Sequence, residues 1–438
     1  MGSEWAEARL GDVVELKRGY DLPRQNRQPG LAPIISSSGV SDFHSIAKIE
    51  GPGVITGRYG TIGEVFYCAG DFWPLNTTLY VKDFKGNDEK FIYYFLKTIH
   101  YQEYSDKGAV PGVNRNHLHT AEVYIPKKVS MQRKIAGVLS ALDEKIDLNR
   151  QMNTTLEAMA QALFKSWFVD FDPVIDKALA AGNPIPEPLH ARADARKALG
   201  DQRKPLPATI HQQFPDRFVF TEELGWVPEG WEIKSVIDMV DSVSDTFPLK
   251  NTKKVIFLNT GDISEGRFLH REYSASSGLP GQAKKSIKRG DILFSEIRPK
   301  NKRYAFVDFD ASDYVVSTKL MVLRVKEGFR PLITYFLLRQ EQSVQALQQM
   351  AESRSGTFPQ ITYRELSILK QAVPSDGALF ESFETSFLTN FSDRSQALES
   401  QCLALERLRN TLLPKLLSGE LRVPEAEATV ASMLAEES

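Results

Sequence analysis

Cysteine is almost missing from this 438-residue chain: only Cys68 and Cys402 occur, far apart and in unrelated contexts. Two distant thiols exclude a disulfide framework and a cysteine-rich metal site, and they fit a reducing compartment. Long apolar runs are missing too, and the N-terminus has no basic region followed by an apolar core. The expectation is therefore a cytoplasmic protein with no membrane association. Nucleotide chemistry lacks its usual signatures. There is no G-x-x-x-x-G-K-[ST] loop, no G-x-G-x-x-G after a strand and no Asn/Asp-Pro-Pro-aromatic tetrapeptide. This weighs against an NTPase, a dinucleotide enzyme and an amino-methyltransferase. Gly57–Gly63 is glycine-rich, but Arg58 and Tyr59 stand where a pyrophosphate cradle needs small residues, so it reads as a loop between strands. His117 and His119 lie two apart with no third ligand, and no zinc site is expected. Pro215-Asp216 followed by Glu232-Ile233-Lys234 fits a metal-dependent nuclease only loosely, with Gly225, Pro228 and Gly230 in between.

A strong charge of one sign is also lacking: the formal net charge is -2. A protein that held DNA by electrostatics alone would be more basic. The charge is unevenly spread, however. The first globular segment is close to neutral, whereas the second carries Lys284, Lys285, Lys288, Arg289, Arg298, Lys300, Lys302 and Arg303 in one stretch. A solvated surface is the plain reading of such a run.

What the chain does have is a repeat. Gly108-x-x-Pro111-x-Val113-x-x-x-x-Leu118, followed by Pro126, returns without a gap as Gly356-x-x-Pro359-x-Ile361-x-x-x-x-Leu366, followed by Pro374. Each copy runs into a long helical pattern, so the chain reads as two pseudo-equivalent halves suited to a two-part target. Residues 1–127 read as short strands and turns, with strands at Val13–Leu16, Gly53–Thr56 and Thr78–Val81 and a helix over Lys90–Thr98. Residues 128–170 form a helix. Ile135, Leu139, Leu142, Ile146, Asn149, Asn153, Leu156, Ala160, Leu163 and Trp167 alternate by four and three, the seam of a coiled coil about 54 Å long. The two asparagines in mid-seam fix register and partner, or else mark an exposed or bent stretch. Residues 171–229 are a proline-rich connector, draped over the surface or partly mobile, with a short helix near His190–Gly200. Residues 230–374 form the second globular segment. Its Gly290–Phe294 echoes Gly53–Thr56, and its Thr334–Leu337 echoes Tyr93–Leu96. Residues 375–422 form the second helix, with Phe387, Phe391, Leu398, Leu405, Leu408 and Leu412 in its seam, Arg394 and Gln401 interrupting it, and Pro414 marking its end. Residues 423–438 are Ala/Glu-rich and read as a flexible tail.

Because the order is domain, helix, domain, helix, the two helices can pair with each other; homodimerisation through the same seams is the competing geometry. An antiparallel rod of this length compares with about 16 base pairs of B-DNA, enough for two readers to reach segments about one helical turn apart. Reading DNA needs no catalytic residues, only donors and acceptors for base edges and cations for phosphates. In the first half the loop candidates are Arg18, Tyr20, Arg58, Tyr59, Asn76, Thr77, Asn114, Arg115 and Asn116. In the second half they are Asn259, Arg298, Lys300, Lys302, Ser317, Thr318, Arg354, Ser355 and Gln360. Singly, each is an ordinary exposed polar residue; as two sets in corresponding loops they carry more.

Several segments resemble the specificity subunit of type I restriction-modification systems. They are Lys17–Pro23 (KRGYDLP), Ile35–Gly39 (ISSSG), Gly57–Gly63 (GRYGTIG), Trp73–Thr78 (WPLNTT), Leu224–Glu232 (LGWVPEGWE) and Leu412–Leu421 (LLPKLLSGEL). The resemblance spans nearly the whole chain. It implies an α+β fold in which two pseudo-repeated mixed α/β target-recognition domains are separated by two long helices forming an antiparallel coiled coil. Each domain would read one half of a bipartite, asymmetric site in double-stranded DNA. The helices would set the spacing and dock two methyltransferase (M) subunits, so that changing the helix between Asn149 and Leu156 would change the preferred half-site spacing. S-adenosylmethionine, ATP and magnesium would be used by the M subunits and the restriction (R) subunits; this chain would carry no cofactor, no metal and no catalytic residue. The alternatives are a coiled-coil scaffold that does not touch DNA and a fused DNA nuclease, the latter requiring cleavage by the chain alone.

Overall fold

The computed structural model describes residues 4–105, 111–202 and 205–436. Gly108, which opens the first copy of the repeat, lies outside them. The chain divides into two compact units, Met1–Asn153 with Gln396–Ser438, and Thr154–Ser395.

In the first unit, strands Glu15–Arg18, Thr78–Asp83, Gly53–Gly57 and Val65–Cys68 make a four-stranded antiparallel sheet in that order. Side chains alternate across it as the period of two requires. Val54, Leu79 and Val81 join the core under helix Glu89–Leu96, while Ile55 and Tyr80 meet Ile35 and Phe72 on the other side. That second layer is the sheet Gly39–His44, Ala32–Ser36, Trp73–Pro74, with its last pair parallel. Asp88 caps the helix by accepting the Phe91 N–H at 2.9 Å. Trp5–Arg9 pairs with Glu122–Pro126, placing Trp5 opposite Pro126.

The second unit repeats this plan. Val240–Val243, Leu320–Val325, Ile292–Ser295 and Tyr304–Phe306 form the antiparallel sheet. Tyr273–Ala275, Lys254–Leu258 and Tyr314–Ser317 form the second layer, with the same parallel pair. Trp231–Ser235 pairs with Lys370–Pro374, and Trp231 faces Pro374 as Trp5 faces Pro126. The repeat is thus a repeat of topology. Val113 and Ile361, and Leu118 and Leu366, are buried at matching places. Ala283–Ser286 adds a fourth strand to the second layer here, and Ile263–Ser264 with Arg267–Phe268 adds a hairpin.

The first long helix is Val129–Phe168. In the first unit its seam is the expected one: Ile135, Leu139, Leu142, Ile146 and Asn149 are buried. They face the second long helix, with Asp143 bonded to Arg409, Asn149 to Gln401 and Arg150 to Glu406. Rising numbers meet falling ones, so the pairing is antiparallel. In the second unit the buried stripe moves. Leu156 and Leu163 are only half-buried, and Phe164 and Phe168 take the core positions beside Ala160 and Trp167. A straight helix drifts from a strict heptad by about 20° per repeat, and the aromatic cluster follows the drift. Trp167 packs on Phe214, Phe383 and Phe387, and Phe168 on Phe380 and Phe383.

The C-terminal helices correct three expectations, and the first two lie in the second long helix. The second long helix runs Ala378–Phe383, then one π-turn Glu384–Leu388, then Thr389–Ser418. The π-turn adds a residue and shifts phase, so Phe383 and Leu388 are buried while Phe387 and Phe391 pack at the margin. Leu398, Leu405 and Leu412 are buried as expected, Leu408 is half-buried and Arg394 is exposed. Pro414 does not end the helix. It costs one backbone bond, but Leu412, Leu416 and Leu417 are buried around it and the Leu417 carbonyl accepts the Trp5 indole N–H at 2.9 Å. The end comes at Gly419, whose φ of +77 permits the left-handed turn. The segment expected as a flexible tail contains helix Val423–Glu436, in which Val423, Ala426 and Val430 are spaced to bury one face. The connector is likewise built into the second unit. Helices Asp172–Ala181 and His190–Ala198 are joined by Arg192, which donates twice to Asp172 at 2.7 and 2.6 Å.

Candidate nucleic-acid interface

In the first unit the candidates gather at one end of the four-stranded sheet. Strand Glu15–Arg18 ends there, strand Gly53–Gly57 ends there and strand Thr78–Asp83 begins there, with Arg18 opposite Leu79 and Gly57 opposite Thr78. Arg18 is exposed at that edge. The Arg58 and Tyr59 amides both donate to the Thr77 carbonyl, and the Val113 amide donates to the Arg58 carbonyl at 3.0 Å. The loops carrying Arg58–Tyr59, Asn76–Thr77 and Val113–Asn116 therefore form one surface. The Arg58 guanidinium lies over the Tyr59 ring, 4.5 Å from its centre. A Cβ on Gly112 would sit 2.1 Å from that ring, so the bare glycine is what lets Tyr59 lie flat. Asn76 donates to Asp21. Asn114 caps the turn Arg115–Leu118 by accepting the Asn116 N–H, and Arg115 and Asn116 stand exposed beyond it.

Sequence reasoning missed the cations beside Tyr20. Lys17 and Lys48 approach its ring at 5.7 and 5.2 Å, and its hydroxyl shares a 3.0 Å hydrogen bond with Tyr80. That bond holds the Tyr20 phenol below its ordinary pKa. Lys17 was within reach of sequence reasoning, next to Arg18; Lys48 arrives only through the fold. His119 accepts the Leu16 amide at 3.0 Å and serves the backbone.

The second unit is less open than its basic stretch suggested. Lys285 donates to the Thr318 and Leu320 carbonyls, and burial pulls its ammonium below the ordinary pKa. Arg303 donates to the Thr260 carbonyl and Arg289 to that of Asp308. Lys300 pairs with Glu352, Lys302 with Glu341 and Arg354 with Glu365. Arg298 is exposed, with a φ of +45, at the start of the turn Pro299–Asn301. Gln360 is exposed and its backbone bridges to Ile297. Asn259 caps the turn Thr260–Asp262, Ser355 accepts the Phe358 amide and Thr318 is half-buried. Ser317 is a correction: it is fully buried at the end of its strand, and its hydroxyl accepts the Lys319 amide, so it presents nothing to solvent. Two residues outside the expected set lie beside these candidates: Glu296, two residues before Arg298 in the same loop, and Lys319, next to Thr318 and 3.4 Å from Glu296.

Among the described residues no group of His, Cys, Asp and Glu is arranged to hold a metal ion, and no helix is long and apolar enough to cross a membrane. Glu232 of the nuclease-like pattern pairs with Lys234 at 2.8 Å.

The family model of the type I restriction modification DNA specificity domain matches residues 2–158 and again residues 228–404. The chain belongs to this family. The two matches fall on the two repeats of the fold, so the chain carries the specificity domain twice. Among curated relatives, the type I restriction enzyme HindI specificity subunit of Haemophilus influenzae is 46% identical over 33% of this chain and 32% of that protein. The MjaIX specificity subunit of Methanocaldococcus jannaschii is 24% identical over 78% of this chain and 71% of that protein. The chain thus aligns with about a third of the first relative's length and over two thirds of the second's. A solved S subunit of a type I restriction-modification system from M. genitalium aligns over 94% of this chain and 96% of that one, at 13% identity and a TM-score of 0.49.

Proposed function

We propose that this chain is the DNA-specificity subunit of a type I restriction-modification complex, with each specificity domain reading one half of a bipartite site. The observation that carries the reading is the pair of sheet-end loop surfaces, built on the same topology but furnished with different side chains. One frame used twice with unlike contents suits a target whose halves differ. The antiparallel pairing of the long helices supports a role as spacer and as a dock for two M subunits, with R subunits joining the complex. In this reading the chain is non-catalytic. S-adenosylmethionine, ATP and magnesium belong to the partners, and the modest net charge reflects shared phosphate contacts. The protein works in the cytoplasm of a bacterial or archaeal cell.

The test is methylation mapping of host DNA with and without the gene. A bipartite motif that disappears with the gene is the expected result. Equal modification of all duplexes by the assembled complex refutes the reading, and metal-dependent cleavage by the purified chain alone would favour a nuclease.

A further inference from the structure

We propose that one loop position, held by the same backbone contacts in both units, reads one base in each half-site: Arg58 a guanine and Glu296 a cytosine. This rests on the DNA-specificity reading above and names residues for it.

The equivalence comes from backbone contacts. In the first unit the Gly57 amide donates to Glu64 at 2.9 Å, the Arg58 amide to Thr77 at 2.9 Å and the Val113 amide to Arg58 at 3.0 Å. In the second unit the Ser295 amide donates to Arg303 at 2.9 Å, the Glu296 amide to Lys319 at 3.1 Å and the Ile361 amide to Glu296 at 2.8 Å. Tyr59 bridges to Gly112 as Ile297 bridges to Gln360. Gly57 stands opposite Thr78 as Ser295 stands opposite Leu320. Arg58 and Glu296 therefore occupy one position of one frame, and the contacts that the two units share there run through backbone atoms alone. Those shared contacts do not depend on the side chain, which has changed from a cation to a carboxylate. The residue that receives its amide has changed too, from Thr77 to Lys319.

Each side chain has a base-edge complement. The Arg58 plane is fixed by the Tyr59 ring and by its Nε–H donating to the Val113 carbonyl at 3.3 Å. That leaves the guanidinium fork to match two acceptors on one edge, which guanine offers as O6 and N7. A carboxylate only accepts, and cytosine presents a lone N4 amino donor in the major groove. Lys319, 3.4 Å from Glu296, offsets its charge beside the phosphates.

The experiment uses the full chain assembled with its M subunits. Methylation is scored on a duplex library randomised across both half-sites, for the wild type, R58A, R58K, E296A and E296Q. R58A is expected to lose about ten- to a hundredfold discrimination at one guanine of one half-site, with the other half-site read as before. E296A and E296Q are expected to do the same at one cytosine of the opposite half-site. The untouched half-site reports folding and assembly within the same molecule. If R58A does not assemble, R58Q keeps the length without the charge and carries the same comparison. The assignment is overturned if R58A weakens all sequences alike, R58K restores them and the salt slope drops by about one, because that is a phosphate contact. It is also overturned if the affected bases are not guanine and cytosine. A wild-type complex with no bipartite preference sinks the specificity reading itself, and this assignment with it.

Discussion

Replacing Gln401 by leucine, alone and together with Asn149→Leu, gives opposite results if the polar pair in the helix seam is a buried bridge. Asn149 is 0% exposed, and its amide donates to Gln401 Oε1 at 3.1 Å. Q401L removes that acceptor while the asparagine stays buried, at a cost of about 1–3 kcal/mol for a stranded donor. The double variant N149L/Q401L removes donor and acceptor together. It buries a leucine where the asparagine was, worth about 1.5–3 kcal/mol of apolar transfer before packing losses, so its net effect is stabilising by about 1–2 kcal/mol. Gln401 is only half-buried, which keeps the gain at the lower end. For units of about 150–250 residues each kcal/mol moves the Tm by roughly 2–4 °C. Q401L should therefore melt several degrees below the wild type and the double variant a few degrees above it. Scanning calorimetry and urea denaturation of the four species of the cycle measure the coupling directly. Two outcomes refute the reasoning: a Q401L protein as stable as the wild type, or a double variant less stable than Q401L. The first would mean that water reaches Asn149; the second, that the site does not accept a leucine.

Two further outcomes follow from buried and half-buried groups. Asp143 accepts from Tyr94 at 2.7 Å and from Arg409 at 2.5 Å, tying helix Glu89–Leu96 to both long helices within the first unit. D143A should lower stability by about 1–3 kcal/mol, a range held down by the partial exposure of the charges, and most of that loss should vanish when urea midpoints are compared in an R409A background. The second outcome concerns alkali. Burial pushes the Tyr93 phenol up to about 12 and also raises Tyr94, Tyr101 and Tyr335. A folded pKa above the unfolded value means that the stabilisation is complete below about pH 10 and is lost as pH climbs through about 12. Phenolate absorbance at 295 nm should therefore rise in two stages, the later one together with loss of far-UV circular dichroism. Ionisation of all 14 tyrosines near pH 10 with the fold intact would contradict the burial.

How much of this was legible in the sequence depended on whether a feature was local. The Gly-x-x-Pro repeat marked the two halves because Val113 and Ile361, and Leu118 and Leu366, are core residues at fixed offsets from a paired strand. The heptad of the first helix predicted its buried face as far as Asn149, where a single partner helix covers it. Beyond that point the stripe is chosen by Phe336, Phe380 and Phe383, which are distant in sequence, and Phe164 and Phe168 could not be told from exposed positions by spacing alone. Phase was lost again at Glu384–Leu388, since nothing in that run announces a π-turn. Residues 423–438 misled by composition: their Ala/Glu content hid an apolar spacing of three and four.

The loop candidates show the same division at the scale of single side chains. Arg18, Arg58 and Asn76 could be proposed from sequence because the polar residues between strands end up at the sheet edge, whatever the details of packing. Ser317 failed because the turn from Ser317 to Leu320 is so tight that the last residue of the strand remains in the core. Glu296 does not stand among the candidates: it is an acidic residue inside a basic stretch, and Lys319 pairs with it. Only when the backbone bonds of the two loops are set side by side does Glu296 fall on the position of Arg58. A carboxylate that served only to neutralise Lys319 would have no reason to occupy the place that the other domain gives to an arginine resting on an aromatic ring.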